Sequence, residues 1–344
     1  MLASFPTSIG LRALMPGRIC IVGAGPSGAY LARLLTDRGF RTAVYEVNSR
    51  LALKPCGWGI PYSIDDFMRL PGEVIVEKIR GYEIFLDGQP IHEYCGEVLG
   101  YIVDKELLLR YLLEGIEVIH RGVDPRRLSG CWLVVDARGH AAYKGRKALA
   151  LQAEARAEVE RDRIKVYFFS DMVGYGWIFP ANNGLVRLGV GGFMDAASLR
   201  RRLFSLARSV GAELVSLAGS PIAAGSIASL RGSELAVGEA MGAVMPLTGE
   251  GIRPGFLSAK ALSESLSGGR SFRRLLDDYG LIFNIDLQLR ILRYLERASP
   301  EDRRKLYRSA PVEVLKRVTA ANLTKLEVAS FIARWPGFFK KFLA

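Results

Sequence analysis

The chain has 344 residues, 49% of them hydrophobic and 24% charged, which is enough for roughly two folded domains and excludes a disordered chain. No segment is long and apolar enough for a transmembrane helix, and residues 1–16 lack the apolar segment of a secretory signal. We therefore expect a cytoplasmic protein with an N-terminal extension over residues 1–15. The formal charge of +12 favours anionic partners, but no nucleic-acid motif accompanies it, so nucleic acid is not expected.

The composition also bears on redox chemistry and source. The four cysteines, Cys20, Cys56, Cys95 and Cys131, form neither a CxxC pair nor a Cys/His cluster, so we predict no metal site. Arg and Glu are plentiful while Asn and Gln are scarce, which is typical of a thermophile. Cytosolic thermophilic proteins can contain disulfides, but the spacing does not indicate which cysteines would pair.

The first predicted elements form a dinucleotide-binding unit. A short apolar strand, Arg18–Val22, runs into the GAGPSG motif of residues 23–28, then a helix, and then a strand from Thr42 that carries Glu46. In this motif the first glycine permits a tight turn, the second lets a pyrophosphate approach, and the third lets helix and strand pack closely. The helix N-terminus offers free N–H groups to phosphates, and Glu46 is placed to accept hydrogen bonds from ribose hydroxyls.

A second sheet is predicted further along the chain. Residues 82–91 are typical of a hairpin around Asp87-Gly88, and residues 166–169 and 174–191 are expected to join the same antiparallel sheet. Tyr175, Trp177 and Phe179 alternate along one of these strands and therefore share a face. From this spacing alone, the three aromatic side chains fit either ordinary sheet core or the wall of a pocket.

The segment 234–257 predicts a second half of the cofactor site. A strand, Leu235–Val237, precedes Glu239, and the GEGI sequence of residues 249–252 is expected to open a helix. A helix N-terminus stabilises a group that gains negative charge, as the N1–C2=O edge of a reduced flavin does. Glu239 is placed to hold a ribitol hydroxyl.

These motifs, in this order, resemble those of the geranylgeranyl reductases. The resemblance rests on the front motif, KPCGWG at residues 54–59, YGWIFP at 175–180, GVG at 189–191 and the GEGI segment. It implies an FAD-dependent enzyme with the p-hydroxybenzoate hydroxylase type of fold that saturates isoprenoid chains, best known from archaeal membrane-lipid synthesis. The motifs and the resemblance together predict these FAD contacts: Gly23, Gly25, Ser27, Gly28, Glu46, Cys56, Gly57, Gly59, Lys105, Val123, Glu239, Gly249, Gly251 and Ile252. Lys105 stands where the family has Arg, and Glu239 where it has Asp.

The resemblance also implies a catalytic pocket over the flavin. Tyr175, Trp177 and Phe179 are expected to line it, and the resemblance adds these substrate-binding residues: Pro180, Gly189 and Gly191. An isolated alkene accepts a hydride once a proton adds to it, so the aromatic faces, Trp177 above all, would stabilise the developing cation. The proton donor is left open: by the resemblance Cys56 lies close to the flavin, where its thiol either donates the proton or only packs. The glycines would let a long chain or the flavin ring lie close to the backbone.

The predicted architecture is α/β, with two interleaved domains and a helical end. The Rossmann-like FAD-binding domain takes residues 16–75, 98–150 and 228–275, and the antiparallel β-sheet substrate domain takes 76–97 and 151–227. Residues 276–344 form a C-terminal helical region, in which Ser299-Pro300-Glu301 begins a helix. Residues 331–344 mix aromatic and basic side chains, which predicts either peripheral contact with an anionic membrane at its inner face or a terminal helix packed on the body.

Rival functions share parts of this pattern. A flavin monooxygenase of an aromatic or quinone substrate shares the fold, but the Asp-Gly pair common in such enzymes is absent and Asp136-Ala137-Arg138-Gly139 takes its place. A non-enzymatic binder of flavin or prenyl lipid is the other alternative. The substrate is expected to be a prenyl chain on a lipid, a diphosphate or a quinone. The external electron donor, ferredoxin or NAD(P)H, is left open.

Overall fold

The computed structural model describes residues 17–227, 235–320 and 322–343, so the predicted extension over residues 1–15 lies outside the described residues. The strands are β1 (Arg18–Val22), β2 (Thr42–Glu46), β3 (Gly59–Pro61), β4 (Ile75–Leu86), β5 (Gln89–Val103), β6 (Glu117–His120), β7 (Cys131–Asp136), β8 (Lys147–Arg156), β9 (Arg163–Phe168), β10 (Gly174–Pro180), β11 (Val186–Gly192), β12 (Glu213–Leu214), β13 (Ala218–Ala223) and β14 (Leu235–Ala236). The helices are α1 (Pro26–Asp37), α2 (Lys105–Leu112), α3 (Ala196–Ser209), α4 (Ile252–Gly268), α5 (Phe272–Asp278), α6 (Leu281–Arg297), α7 (Pro300–Ser309), α8 (Val312–Ala320), α9 (Lys325–Arg334) and α10 (Pro336–Leu343).

The first sheet is the parallel sheet that the glycine motif predicts. Its strands lie in the order β14-β7-β1-β2-β6, and α1 connects β1 to β2. The register pairs Val22 with Tyr45, so the glycine motif after β1 and Glu46 at the end of β2 reach the same edge of the sheet. Ligands of open parallel sheets bind at this carboxyl edge. The phosphate and ribose parts of the predicted site are therefore neighbours.

Helices α1 and α4 pack together over this sheet. Leu31 and Leu35 of α1 and Phe256 of α4 are fully buried, and the rings of Tyr30 and Phe256 lie 4.6 Å apart between their centroids. Each such side chain removed from water contributes roughly 1.5–3 kcal/mol. This packing places the N-terminus of α4 on the same side of the molecule as that of α1, so the two predicted halves of the cofactor site face one cavity.

A disulfide bond joins two strands of the parallel sheet. It links Cys20 of β1 to Cys131 of β7, whose Cα atoms are 5.9 Å apart, while Cys56 and Cys95 are free thiols. The spacing in the sequence left this pairing open, because the partners are 111 positions apart and meet only once β7 lies beside β1. The disulfide therefore crosses the core of the nucleotide-binding sheet.

The second sheet is mixed, with one pair that differs from the prediction. Its strands lie in the order β12-β8-β11-β10-β9-β4-β5-β3, with β13 also paired to β8. Its pairs are antiparallel except β4 with β9, which run parallel. No hairpin joins these two strands, because the chain passes through the parallel sheet between them. The hairpin of β4 and β5 is confirmed, with Asp87 at φ 49° and Gly88 at φ 82° in its turn.

The chain crosses between the two sheets several times. Strands β3 and β8 and the end of β5 pair within the second sheet, although their residues were mostly assigned to the nucleotide-binding domain. The division into domain segments stays a prediction.

The C-terminal region is helical as predicted, and the Ser299 side chain accepts a hydrogen bond from the Asp302 N–H at 3.1 Å at the start of α7. Among the described residues, no helix combines the length and apolar character needed to cross a membrane.

Candidate cofactor and substrate site

One cavity of about 1390 Å³ lies between the two sheets and the C-terminal helices. Pockets that hold one drug-sized ligand have volumes of roughly 300–1,000 Å³. The cavity therefore has room for a dinucleotide and a second, elongated ligand. Its lining contains residues from both predicted halves of the cofactor site and from the aromatic strand β10.

The glycine motif forms the phosphate end of the cavity. A Cβ atom added at Gly25 would meet no other atom within 4 Å, so open space lies in front of the N-terminus of α1. A Cβ atom at Gly28 would instead lie 2.0 Å from the carbonyl oxygen of Gly23. Gly23 itself has φ +115° and lies against the Ala137 backbone. These environments fit the three roles predicted for the motif, and the open space in front of α1 fits a pyrophosphate.

Glu46 closes the ribose end of the same loop. Its Oε2 accepts a hydrogen bond from the Ala24 N–H at 2.9 Å, and its Oε1 accepts two from Asn48, at 2.9 and 2.8 Å. These bonds fix the carboxylate at the edge of the cavity, where the remaining lone pair of Oε2 can accept from a ribose hydroxyl. Val123 lines the cavity nearby, as the resemblance implies.

Lys105 is buried at the first turn of α2. Its ammonium donates to the backbone carbonyl of Lys54 at 2.6 Å, and burial lowers its pKa. The bond holds the start of the KPCGWG segment against the cavity. The Lys105 ammonium is thus hydrogen-bonded to the protein backbone. Lys105 also borders the cavity, where a cofactor contact is predicted.

Glu239 follows Gly238, whose backbone lies against the Ser27 side chain of the glycine motif, and is paired with a lysine of the KPCGWG segment. Its Oε2 accepts from the Lys54 ammonium at 2.6 Å, and its Oε1 accepts from the Ala223 N–H at 3.0 Å. The ion pair connects β13, the turn that carries Glu239, and the KPCGWG segment. Gly249, at φ +64°, and Gly251, the N-cap of α4, follow on the same wall.

The aromatic strand explains why its neighbour is rich in glycine. Trp177 of β10 pairs with Gly189 of β11, and a Cβ atom at Gly189 would lie 2.1 Å from Cζ2 of the indole. The six-membered ring of the indole thus fills the space directly beside Gly189. The prediction that Gly189 lets a substrate chain or the flavin approach is therefore wrong, because Trp177 itself takes that space. At Gly191 a Cβ atom would be 3.5 Å from the indole, an ordinary contact.

The other two aromatic residues contact the cofactor segments. The Tyr175 hydroxyl donates to the Thr248 carbonyl just before the GEGI sequence, and burial raises its pKa. Phe179 lies against Gly57, where a Cβ atom would be 2.8 Å from Cδ2 of the ring. Cys56 is half-buried beside them, and its Sγ accepts from the Trp58 N–H at 3.4 Å. The aromatic strand thus packs against both the GEGI and the KPCGWG segments at the cavity wall.

Most of the predicted site residues line the cavity, but three of them do not. Gly28, Pro180 and Gly189 lie behind its wall. The predicted residues that line it are Gly23, Gly25, Ser27, Glu46, Cys56, Gly57, Gly59, Lys105, Val123, Tyr175, Trp177, Phe179, Gly191, Glu239, Gly249, Gly251 and Ile252.

Sequence reasoning missed a buried arginine behind the KPCGWG segment. The Arg187 guanidinium lies 3.5 Å from the centroid of the Trp58 ring, and burial lowers the pKa of Arg187 to about 10. Trp58 adopts a φ of 62°, which is uncommon for a large side chain. A tryptophan inside a glycine-rich cofactor segment was the available signal. Its partner is 129 positions further along the chain, and nothing in the sequence links the two.

The far half of the cavity is apolar and formed by the C-terminal helices. Its wall combines aliphatic residues of α6 to α8 with aromatic residues of α9 and α10: Leu287, Ile291, Leu295, Leu306, Val314, Val318, Phe331, Phe338, Phe339 and Phe342. Phe331, Phe339 and Phe342 are buried. Phe338, Phe339 and Phe342 of the predicted membrane segment thus line the cavity, whereas Trp335 does not and is half-buried.

Comparison with known proteins adds a family profile and relatives. A profile described as an NAD(P)-binding Rossmann-like domain matches residues 21–55. A chloroplastic geranylgeranyl diphosphate reductase of Nicotiana tabacum is 24% identical over 77% of this chain and 69% of its own. A menaquinone reductase of Mycobacterium tuberculosis is 26% identical over 93% and 94%. A digeranylgeranylglycerophospholipid reductase of Methanosphaera stadtmanae is 23% identical over 91% and 94%.

Solved structures show the same fold. A geranylgeranyl bacteriochlorophyll reductase-like protein of Thermoplasma acidophilum superposes with a TM-score of 0.78, at 16% identity, over 94% of this chain and 98% of its own. A probable FAD-dependent monooxygenase of Pseudomonas aeruginosa gives a TM-score of 0.57, at 20% identity, over 81% and 94%. The two sheets and the glycine motif therefore define the fold of FAD-dependent oxidoreductases. Within that class, the chain is similar in sequence to the geranylgeranyl reductases, which confirms the resemblance in its motifs.

Proposed function

We propose that this protein is an FAD-dependent reductase that saturates C=C bonds of isoprenoid chains. The observation that carries the proposal is the continuity of one cavity. It runs from the open phosphate position at Gly25, past the aromatic strand, into an apolar half lined by α6 to α10. A prenyl chain is long, flexible and apolar, so it fits that half, and its reacting bond would lie beside Trp177.

Several residues of the cavity wall would have distinct roles in the reaction. Bound FAD in its reduced form supplies the hydride. The Trp177 indole, which lies beside Gly189 of β11 and borders the cavity, would stabilise a carbon that gains positive charge by roughly 0.5–2 kcal/mol. The Tyr175 and Phe179 side chains close the cavity around it and exclude water that would capture a cation. Cys56 lies at the same wall, and its thiol is one candidate for the proton donor.

A single anaerobic experiment tests this function. The flavin of the purified protein is reduced with dithionite, a geranylgeranyl lipid is added, and the flavin absorbance is followed. We expect reoxidation without O₂, because the alkene takes the electrons, together with a product that carries two more hydrogens per reduced bond. Mass spectrometry identifies this product. Reoxidation that requires O₂ would support a monooxygenase, as in the Pseudomonas aeruginosa protein, and a flavin that stays reduced under both conditions would support a binder.

Contact with an anionic membrane is a separate part of the proposal. A basic protein with a prenyl-lipid substrate must extract it from a bilayer, and Arg334 of α9 is exposed next to the half-buried Trp335. Flotation with anionic vesicles should recover the full-length protein at low salt and release it at high salt, since salt screens surface charge. A chain that ends at Lys325 serves as the comparison. Equal flotation of both proteins would assign the contact to another surface.

A further inference from the structure

A buried glutamate borders the flavin end of the cavity without a role so far. Glu250 lies in the GEGI sequence, directly before the N-cap Gly251 of α4. Its Oε1 accepts a hydrogen bond from the Arg253 N–H at 2.8 Å. Its Oε2 is shielded from solvent and has no hydrogen-bond partner among the described residues. A buried carboxylate oxygen without a partner is costly, but a protonated oxygen has a hydrogen to donate.

Burial raises the pKa of Glu250 to about 7, although the nearby Arg253 guanidinium acts in the opposite direction. Tyr175, from β10, is the other titratable group that faces it, and its hydroxyl is bonded to the Thr248 carbonyl. Near neutral pH the side chain therefore exists both as the acid and as the carboxylate. A general acid works best when its pKa lies close to the working pH.

Two other glutamates of the cavity, Glu46 and Glu239, have partners at both carboxylate oxygens. Glu46 accepts three hydrogen bonds, and Glu239 is paired with the Lys54 ammonium. His140 also lines the cavity, and burial lowers its pKa, so it is neutral near pH 7 and above. Of these three glutamates, Glu250 is the one with a carboxylate oxygen that has no hydrogen-bond partner among the described residues.

We propose that the Glu250 carboxylic acid, rather than the Cys56 thiol, donates the proton to the isoprenoid alkene; this rests on the proposed reductase function. The π electron pair of the alkene forms a new C–H bond with the Oε2 proton, and the other alkene carbon becomes cationic. That carbon takes a hydride from the reduced flavin, so the alkene gains two electrons and the flavin loses two. Water or buffer returns a proton to the carboxylate afterwards. Arg253 and the N-terminus of α4 stabilise the carboxylate while it is charged.

The test compares wild-type protein with Glu250→Gln, which keeps the shape of the side chain and cannot donate the acid proton. Reoxidation of the reduced flavin by a geranylgeranyl lipid is followed anaerobically between about pH 5 and about pH 9. The wild-type rate should fall as the pH rises through about 7, since the acid form is lost. Glu250→Gln should be slower by about 10²- to 10⁴-fold and lose this pH dependence. Cys56→Ser should keep the pH dependence, whatever its rate.

A second readout does not depend on turnover. The infrared difference spectrum of the FAD-free protein between the same pH limits should contain a carboxylic C=O band that titrates near neutral pH and is missing in Glu250→Gln. If Glu250→Gln fails to fold, Glu250→Asp replaces it and should shift the midpoint of the pH profile. A Glu250→Gln protein that keeps the wild-type rate and pH profile, or a wild-type spectrum without the band, overturns the proposal. A wild-type protein that shows the band but is not reoxidised by any prenyl chain overturns the reductase function instead.

Discussion

Gly25→Val should yield a folded protein that has lost its FAD. The backbone at Gly25 has φ −69° and ψ 176°, which valine adopts readily, and no atom lies within 4 Å of the added Cβ. The new side chain would occupy only the space in front of α1 where the pyrophosphate is expected. We expect roughly 100-fold weaker binding, or about 2.8 kcal/mol at 1.4 kcal/mol per factor of ten. Flavin absorbance per mole of protein measures the loss, and thermal unfolding of the FAD-free forms measures the fold.

Gly28→Ala is the matched control and should lower the stability of the fold, whereas Gly25→Val should lower only the affinity for FAD. Its Cβ would lie 2.0 Å from the Gly23 carbonyl oxygen, so α1 must move away from β1. Such overpacking typically costs about 1–3 kcal/mol. This variant should unfold at a lower temperature even without FAD, whereas Gly25→Val should not. A Gly25→Val protein with normal flavin content would contradict the assignment of the phosphate position.

Gly189→Ala should slow the transfer of electrons to the alkene by about tenfold or more. The added methyl group would meet the Trp177 indole at 2.1 Å, so the ring must leave the surface of β11 and tilt into the cavity. The rate of anaerobic flavin reoxidation in a single turnover reports this step without product release. Trp177→Phe should cost about 1 kcal/mol, or several-fold, and Trp177→Leu more, because it removes the π face.

Gly191→Ala controls for the substitution itself. Its Cβ would lie 3.4 Å from the Ala150 Cβ and 3.5 Å from the indole, so the ring can stay in place. Although Gly191 borders the cavity, the rate should therefore fall less than in Gly189→Ala. The bound FAD of each variant is measured alongside. If the Gly189→Ala and Trp177→Leu proteins both reoxidise at the wild-type rate, Trp177 is ordinary sheet core.

The parts of the site that the sequence predicted are local in the chain. The glycine motif, α1 and Glu46 lie within 29 residues, and the parallel pairing of β1 with β2 fixes their geometry. The GEGI turn and the hairpin at Asp87-Gly88 are equally short. In each case one segment contains the residues, their turn chemistry and their hydrophobic pattern.

What the sequence did not predict depends on contacts between distant segments. Arg187 stacks on Trp58, Cys20 pairs with Cys131, and Glu239 pairs with Lys54 only after the sheets are assembled. The apolar half of the cavity is built from helices whose amphipathic patterns show that they pack, but not against what. For the same reason the sequence did not reveal what packs against Gly189, which is a side chain of the neighbouring strand and not a ligand.

The disulfide gives the front of this protein a closed covalent ring. The backbone from Cys20 to Cys131 and the bond between them enclose the glycine motif, Glu46, the KPCGWG segment, the first long hairpin and Lys105. A protease that cuts the exposed hairpin turn at Asp87-Gly88 would therefore leave two fragments that stay joined until a reductant is added. The half of the cofactor site that precedes the cut would then be covalently linked to the rest of the chain only by the disulfide. In an environment that reduces thiols, the same cut would leave those fragments held only by the pairing of their strands.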